Sequence, residues 1–260
     1  LGAFLLTEPD VGSDAAAIGV RATQDGDEWI LNGVKSWVTN GTEADVLSVY
    51  AQTDEALGHK GIATFLFEAD RPGVIRTPPY ELLGGHGLGA NSIEFDDCRL
   101  PQEALFMEAG EGFHAAMEGI DIARVLVSAM CCGMLRTSLE TATTYVKDRK
   151  AFGGRLADLQ SIRFQLADVA TDLEASRLLT FQAAKVAQEG LDASVAAAHA
   201  KKFCTRVTEK GIATCMQVMG ANGAKRDHAL PRHLAASRLT HYVDGATEIQ
   251  DVVISRSLLD

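Results

Sequence analysis

Basic residues are the scarcer charge in this 260-residue chain: 24 Lys and Arg stand against 35 Asp and Glu, a formal net charge of −11. A nucleic-acid backbone is gripped by a basic face, so this balance argues against that partner class. Cysteine is sparse. Cys98, Cys131, Cys132, Cys204 and Cys215 are odd in number and form no Cys-x-x-Cys pair, which disfavours a metal site or a disulfide framework and makes a reducing compartment the default. The seven histidines stand at triad spacing from no nucleophile motif. No stretch reaches the roughly 20 apolar residues of a membrane span, so none is expected. No signal peptide is visible, but the chain opens at Leu1 inside an apolar run, and its true N-terminus is expected to be missing, so targeting is not legible. What is present is 47% hydrophobic and 23% charged residues, enough for a sizeable core in one large domain or two ordinary ones.

Two periods divide the chain. Asp27 to Leu31 runs into Asn32-Gly33, a hairpin signal, and Asp25-Gly26 is another. Val46 to Gln52 and Ile62 to Phe67 are β-branched and aromatic runs separated by a polar turn from Asp54 to Gly61. Asn91 to Phe95 is a further strand, closed at Leu100-Pro101. After Gly112 the strand pattern stops. Leu159, Ile162, Leu166, Val169 and Leu173 recur at steps of three and four, one face of a helix. Phe113 to Lys147, Ser194 to Met219 and Ala246 to Leu258 read as further helices. The expectation is an α+β chain: a small antiparallel β-barrel or sandwich domain over residues 1–108, then an antiparallel four-helix bundle over 109–260.

Five short motifs sharpen this. Phe4 to Asp14 contains Thr-Glu-Pro-Asp-Val-Gly-Ser-Asp; Lys35 to Gly41 reads Lys-Ser-Trp-Val-Thr-Asn-Gly; Asp148 to Gly153 reads Asp-Arg-Lys-Ala-Phe-Gly. Gln217 to Gly220 is Gln-Val-Met-Gly, and Asp244 to Gln250 is Asp-Gly-Ala-Thr-Glu-Ile-Gln. In order and spacing, over the whole chain, they resemble the acyl-CoA dehydrogenase family, with its middle β domain and C-terminal helical domain represented and its N-terminal helical domain absent.

That resemblance implies FAD as cofactor and an acyl-CoA thioester as substrate, in fatty-acid and lipid metabolism. It also implies an electron-transfer flavoprotein or similar acceptor, a homodimer or homotetramer, and a bacterial cytoplasmic or mitochondrial-matrix location. It assigns the flavin to Phe4, Leu6, Thr7, Gly12, Ser13, Trp37 and Thr39 in the first half. Thr7 and Thr39 offer hydroxyls to a flavin edge, Trp37 offers an apolar face, and Gly12-Ser13 allows close backbone approach to a phosphate. In the second half it assigns Arg149, Phe152, Gln160, Gln217, Gly220, Ala246, Thr247 and Glu248 to FAD, with Arg149 reaching a neighbouring subunit's cofactor. Ser13, Asp121, Arg124, Val243 and Gly245 would face substrate. Asp121 and Arg124 stand three apart and share a helix face, which by itself is also the pattern of a surface ion pair.

The catalytic segment departs from the family pattern. Asp244 stands for the usual Glu, Val243 for an aromatic residue and Ala246 for Thr; His86 stands for a usual Arg. Some branches carry the base before the Arg of the first long helix, where this chain has Ala123. Asp244 is therefore the expected base, with a helix N-cap as the alternative reading. The shorter Asp and the smaller Val open space for an α-branched or cyclic acyl group. Two other functions stay open: a nitroalkane-oxidase-like flavin oxidase without CoA, and an inactive scaffold that keeps the fold.

Overall fold

A computed structural model describes residues 1–260, which divide into two compact units, Leu1–Glu118 and Gly119–Asp260.

The first unit is a β domain: β1 (Gly2–Leu5), β2 (Arg21–Asp25), β3 (Glu28–Val38), β4 (Val46–Gln52), β5 (Ile62–Glu68), β6 (Val74–Arg76), β7 (Asn91–Pro101) and β8 (Leu105–Met107). Hydrogen bonds order them β6-β7-β3-β2-β4-β5-β8, with β1 beside β4. All pairings are antiparallel except β1 with β4 and the single pair Arg21 with Gln52, which run parallel. The sheet closes over its own face. Three strand spacings separate β3 from β5 and four separate β7 from β5, about 14 and 19 Å if flat. Yet the Trp29 and Phe65 rings lie 5.4 Å apart and the Phe67 and Phe95 rings 6.2 Å apart. Leu5, Leu31, Leu47, Val49, Ile93 and Leu100 fill the space between.

The hairpin expected at Asn32-Gly33 is not there. Asp25-Gly26 makes the turn into β3, which then runs unbroken to Val38. Gly33 instead sits at a register shift against β7, at φ 131°, where a Cβ would lie 2.9 Å from Val20 Cγ2. The glycine serves close approach at a bulge rather than a turn. Asn32 spends its side chain across the sheet, donating to Asp97 Oδ1 at 3.0 Å and accepting from the Asp97 N–H at 2.8 Å.

One buried ion pair ties the segment after β1 to β3. Lys35 is fully buried and donates to Glu8 Oε1 at 2.7 Å and to the Leu6 carbonyl at 2.9 Å. Glu8 also accepts the Gly19 and Val20 N–H groups at 2.7 and 2.9 Å. Burial pulls the Lys35 ammonium down to about 8, with Glu8 opposing the shift.

The second unit takes α1 (Gly112–Asp148) from Gly119 onward, then α2 (Gln160–Gln188), α3 (Ser194–Val218), α4 (Leu230–Leu239) and α5 (Thr247–Leu259). Five α-helices stand where the sequence leads one to expect about four. The addition is α4, whose Pro231 lies in the first turn, where its missing N–H costs nothing. A two-strand ribbon, β9 (Lys150–Ala151) with β10 (Gly154–Arg155), joins α1 to α2. The core brings together Leu135, Ala142 and Val146 of α1, Val169 of α2 and Val207, Ile212 and Cys215 of α3. α1 is long and apolar enough to cross a membrane by length and composition alone, a test that core helices of globular proteins also pass; Leu135, Ala142 and Val146 of its second half lie in the helical core.

Glu8→Ala is expected to destabilise the first unit by about 3–5 kcal/mol, because it strands a buried ammonium. Both tryptophans, Trp29 and Trp37, lie in that unit. Urea unfolding followed by tryptophan fluorescence therefore reads the effect, and adding Lys35→Met should recover most of the loss.

Candidate active site

In the first unit the ion pair sets two motif segments side by side. The Ser36 N–H donates to the Thr7 carbonyl at 2.8 Å, so Thr7 lies beside the residue before Trp37. Trp37 is 59% exposed, at φ 59°, with its ring backed by Tyr80 at a centroid distance of 4.6 Å. A bulky side chain at positive φ is uncommon, and such outliers cluster at functional sites. Thr39 is exposed one residue beyond β3. Phe4 is exposed on β1 against Tyr50, while Leu6 is buried. Gly12 and Ser13 are exposed in the turn after the Glu8–Val11 bridge, with open space where a Gly12 Cβ would stand.

In the second unit, three consecutive carbonyls between α4 and α5 are each held by a buried cation. Lys201 of α3, 1% exposed, donates its ammonium to the carbonyls of Val243 and Gly245. Arg124 of α1, also buried, donates through Nε to the Asp244 carbonyl at 3.0 Å. Arg124 is itself fixed by Asp121 Oδ1 at 2.7 Å, and Asp121 Oδ2 accepts from the Ser194 hydroxyl at 2.8 Å. Asp121 and Arg124 are thus no solvated surface pair. Gln250 of α5 adds a bond to the Gly245 carbonyl at 2.9 Å.

This grip holds Asp244 at φ 52° and Gly245 at φ 90°. Asp244 is half-buried. Burial raises its carboxyl above the usual aspartate range, and the Lys201 and Arg124 charges oppose that rise. The helix-cap reading fails, because the N-cap of α5 is Ala246, with no side-chain cap bond. Val243 lies beside Asp244, 37% exposed. At the start of α5, the Thr247 hydroxyl lies 3.2 Å from His241 Nδ1 and Glu248 is exposed.

The remaining second-unit candidates lie elsewhere. Arg149 and Met219, next to Gly220 (φ 61°), line one open cleft with Glu140, Thr144 and Tyr145. Phe152 is 94% exposed at the ribbon tip, at φ 53°. Gln160 opens α2, and Gln217 is exposed near the end of α3. From Arg124 to the end of α1 the helix rises about 36 Å, so the Arg149 cleft and the Asp244 loop of one chain are far apart.

Lys201, Ser194 and Gln250 were missed by the motif reading. Lys201 sits in the Ala-rich stripe of α3, and a lysine inside an otherwise apolar helix face was the available signal.

Residues 3–98 match the family described as acyl-CoA dehydrogenase, middle domain, and residues 110–259 the family described as acyl-CoA dehydrogenase, C-terminal domain. The chain is 37% identical over 263 residues to the human mitochondrial short-chain specific acyl-CoA dehydrogenase, aligning over 100% of its own length and 63% of that protein's. It is similar to butyryl-CoA dehydrogenase from Megasphaera elsdenii, with 36% identity and TM-score 0.97, covering 100% of this chain and 68% of that one. A glutaryl-CoA dehydrogenase from Mycobacterium smegmatis in complex with FADH2 gives 30% identity and TM-score 0.93, covering 100% and 66%. The chain thus spans less than two thirds of the human relative.

A methyl group on Gly245 would meet Arg124 and Gln250 at 3.1 and 3.2 Å, in a backbone conformation that disfavours any side chain. Gly245→Ala is expected to destabilise the helical unit by about 1–3 kcal/mol, seen in urea unfolding by far-UV circular dichroism.

Proposed function

This chain belongs to the acyl-CoA dehydrogenase family, and on that premise we propose that it carries the FAD and substrate chemistry of an α,β-dehydrogenation of acyl-CoA thioesters, with Asp244 as base. The observation that carries this reading is the Asp244 loop: a half-buried carboxylate on a backbone clamped from three helices. A general base needs fixed geometry and a pKa below the working pH but not far below it. Burial and two nearby cations set opposing pulls on Asp244 in that sense. Asp244 would take the α proton, and its backbone N–H would donate to the thioester oxygen as negative charge builds there.

FAD, when bound, supplies the acceptor for the β hydride. Within each unit taken by itself, residues present suit parts of it. Trp37 offers an exposed face backed by Tyr80, Thr7 and Thr39 offer hydroxyls, and the turn at Gly12-Ser13 leaves room for a phosphate. The first turn of α5, without a side-chain cap, leaves N–H groups of a kind that bind anions. An electron-transfer flavoprotein is the proposed acceptor.

The substrate reading rests on size. Asp is one methylene shorter than Glu, and Val243 lacks a ring, so both leave room at the substrate's α carbon. A base misplaced by about 1 Å can cost about a hundredfold in rate, which disfavours a straight chain. Assembly rests on the distance along α1. Arg149, too far from its own Asp244 loop, is assigned to a second copy's cofactor, with the exposed Phe152 beside it. Ile122, Leu126 and Met130, exposed in steps of four on α1, are further apolar surface for association.

Steady-state rates on butyryl-, isobutyryl- and cyclohexanecarboxyl-CoA should favour the branched or cyclic thioester in kcat/KM. Asp244→Glu should shift preference toward butyryl-CoA, and Asp244→Asn should abolish turnover of all three. Because the base must be ionised, kcat/KM falls as pH drops through the raised Asp244 pKa. Oxygen uptake with a nitroalkane and no CoA would instead mark the oxidase reading. In sedimentation velocity the FAD-loaded protein should run as a dimer or tetramer, with Arg149→Ala releasing cofactor.

A further inference from the structure

Lys201 is a buried cation that the proposed chemistry does not use directly. Its ammonium has three N–H donors, and two go to the carbonyls on either side of Asp244. A buried ammonium is costly unless held. Here what holds it is the loop itself, so loop and cation fix each other. Lys35, by contrast, meets a carboxylate at 2.7 Å and is neutralised on contact. We propose that Lys201 is the positioning residue of the Asp244 loop: bonded to the carbonyls on both sides of Asp244, it holds the carboxylate's backbone in its left-handed turn and places a positive charge beside it. This rests on the reading of Asp244 as the base.

The groups facing Asp244 are few. Arg124, paired with Asp121, comes from α1, and Lys201 comes from α3. Gln250 of α5 is neutral. On the α4–α5 connection His241 faces Glu209 of α3 at 3.0 Å. Cys131 of α1, near Lys201, is pushed up to about 11 by burial and stays protonated. Both cations favour the ionised Asp244, Lys201 the more strongly; Arg124 is paired with Asp121, whereas the bonds of Lys201 go to carbonyl oxygens.

Three variants test this in the full-length, FAD-loaded protein. Lys201→Met removes charge and donors; Lys201→Gln keeps a donor and removes the charge; Lys201→Arg keeps the charge. Lys201→Met should speed amide exchange of the peptide spanning 241–247 at least tenfold, and Lys201→Gln should speed it less. Both should move the acid limb of kcat/KM to higher pH, because Asp244 then gains its proton at higher pH. Lys201→Arg should leave that limb in place. A purely structural lysine would lower stability in all three and leave the limb where it is, which would overturn the proposal. Should Lys201→Met fail to fold, Lys201→Gln and Lys201→Arg carry the comparison. Asp244→Asn separates the two claims. Full activity in that variant defeats the reading of the base, whereas an inactive Asp244→Asn beside unmoved limbs in Lys201→Met and Lys201→Gln defeats this proposal alone.

Discussion

Carbonyl direction decides where a short side chain points. On the second unit's connection between α4 and α5, the carbonyls of Val243, Asp244 and Gly245 are all turned toward two cations that cannot leave, because each is buried. With three peptide planes fixed, the backbone at Asp244 and Gly245 has little freedom, so the direction of the Cα–Cβ bond that carries the Asp244 carboxylate is set. The same bonds tie α1, α3 and α5 to one point. Helices that meet at the functional loop cannot shift independently, so the packing of the bundle and the aim of the carboxylate are one constraint.

The first unit solves a similar problem with a similar part. Lys35 is buried, reaches a backbone carbonyl, and draws the segment carrying Thr7 against the strand carrying Trp37. Burial pulls both lysines down to about 8. They differ in what balances the charge. Glu8 meets Lys35 directly, a closed pair with little field beyond it. Around Lys201 the bonded atoms are carbonyl oxygens, partial charges only, so its field extends to the neighbouring carboxylate.

Much of this was legible in the chain. Val46 to Gln52 was read as a strand and is β4, and the long helices follow the stripes of three and four. The Asp121–Arg124 spacing suggested a shared face, which it has. Local signals failed where a distant partner decides. Asn32-Gly33 has turn chemistry, but Val20 approaches so closely that only glycine fits in a continuous strand. Lys201 stands out only as a lysine in an apolar helix face, and its role depends on a loop more than forty residues on. No spacing rule reads an interaction between a side chain and a remote carbonyl. The Asp244 cap reading failed for a similar reason, since α5 begins two residues later than a cap at Asp244 would require.

Trp37 carries a cost in stability. A left-handed backbone costs an L-residue about 1–2 kcal/mol, and glycine or asparagine at the same place would relieve it. Here the position holds the bulkiest side chain, more than half in solvent. The sheet thus holds an exposed indole at a backbone conformation that glycine or asparagine would occupy at lower cost, so replacing Trp37 by glycine should relieve strain while removing the ring.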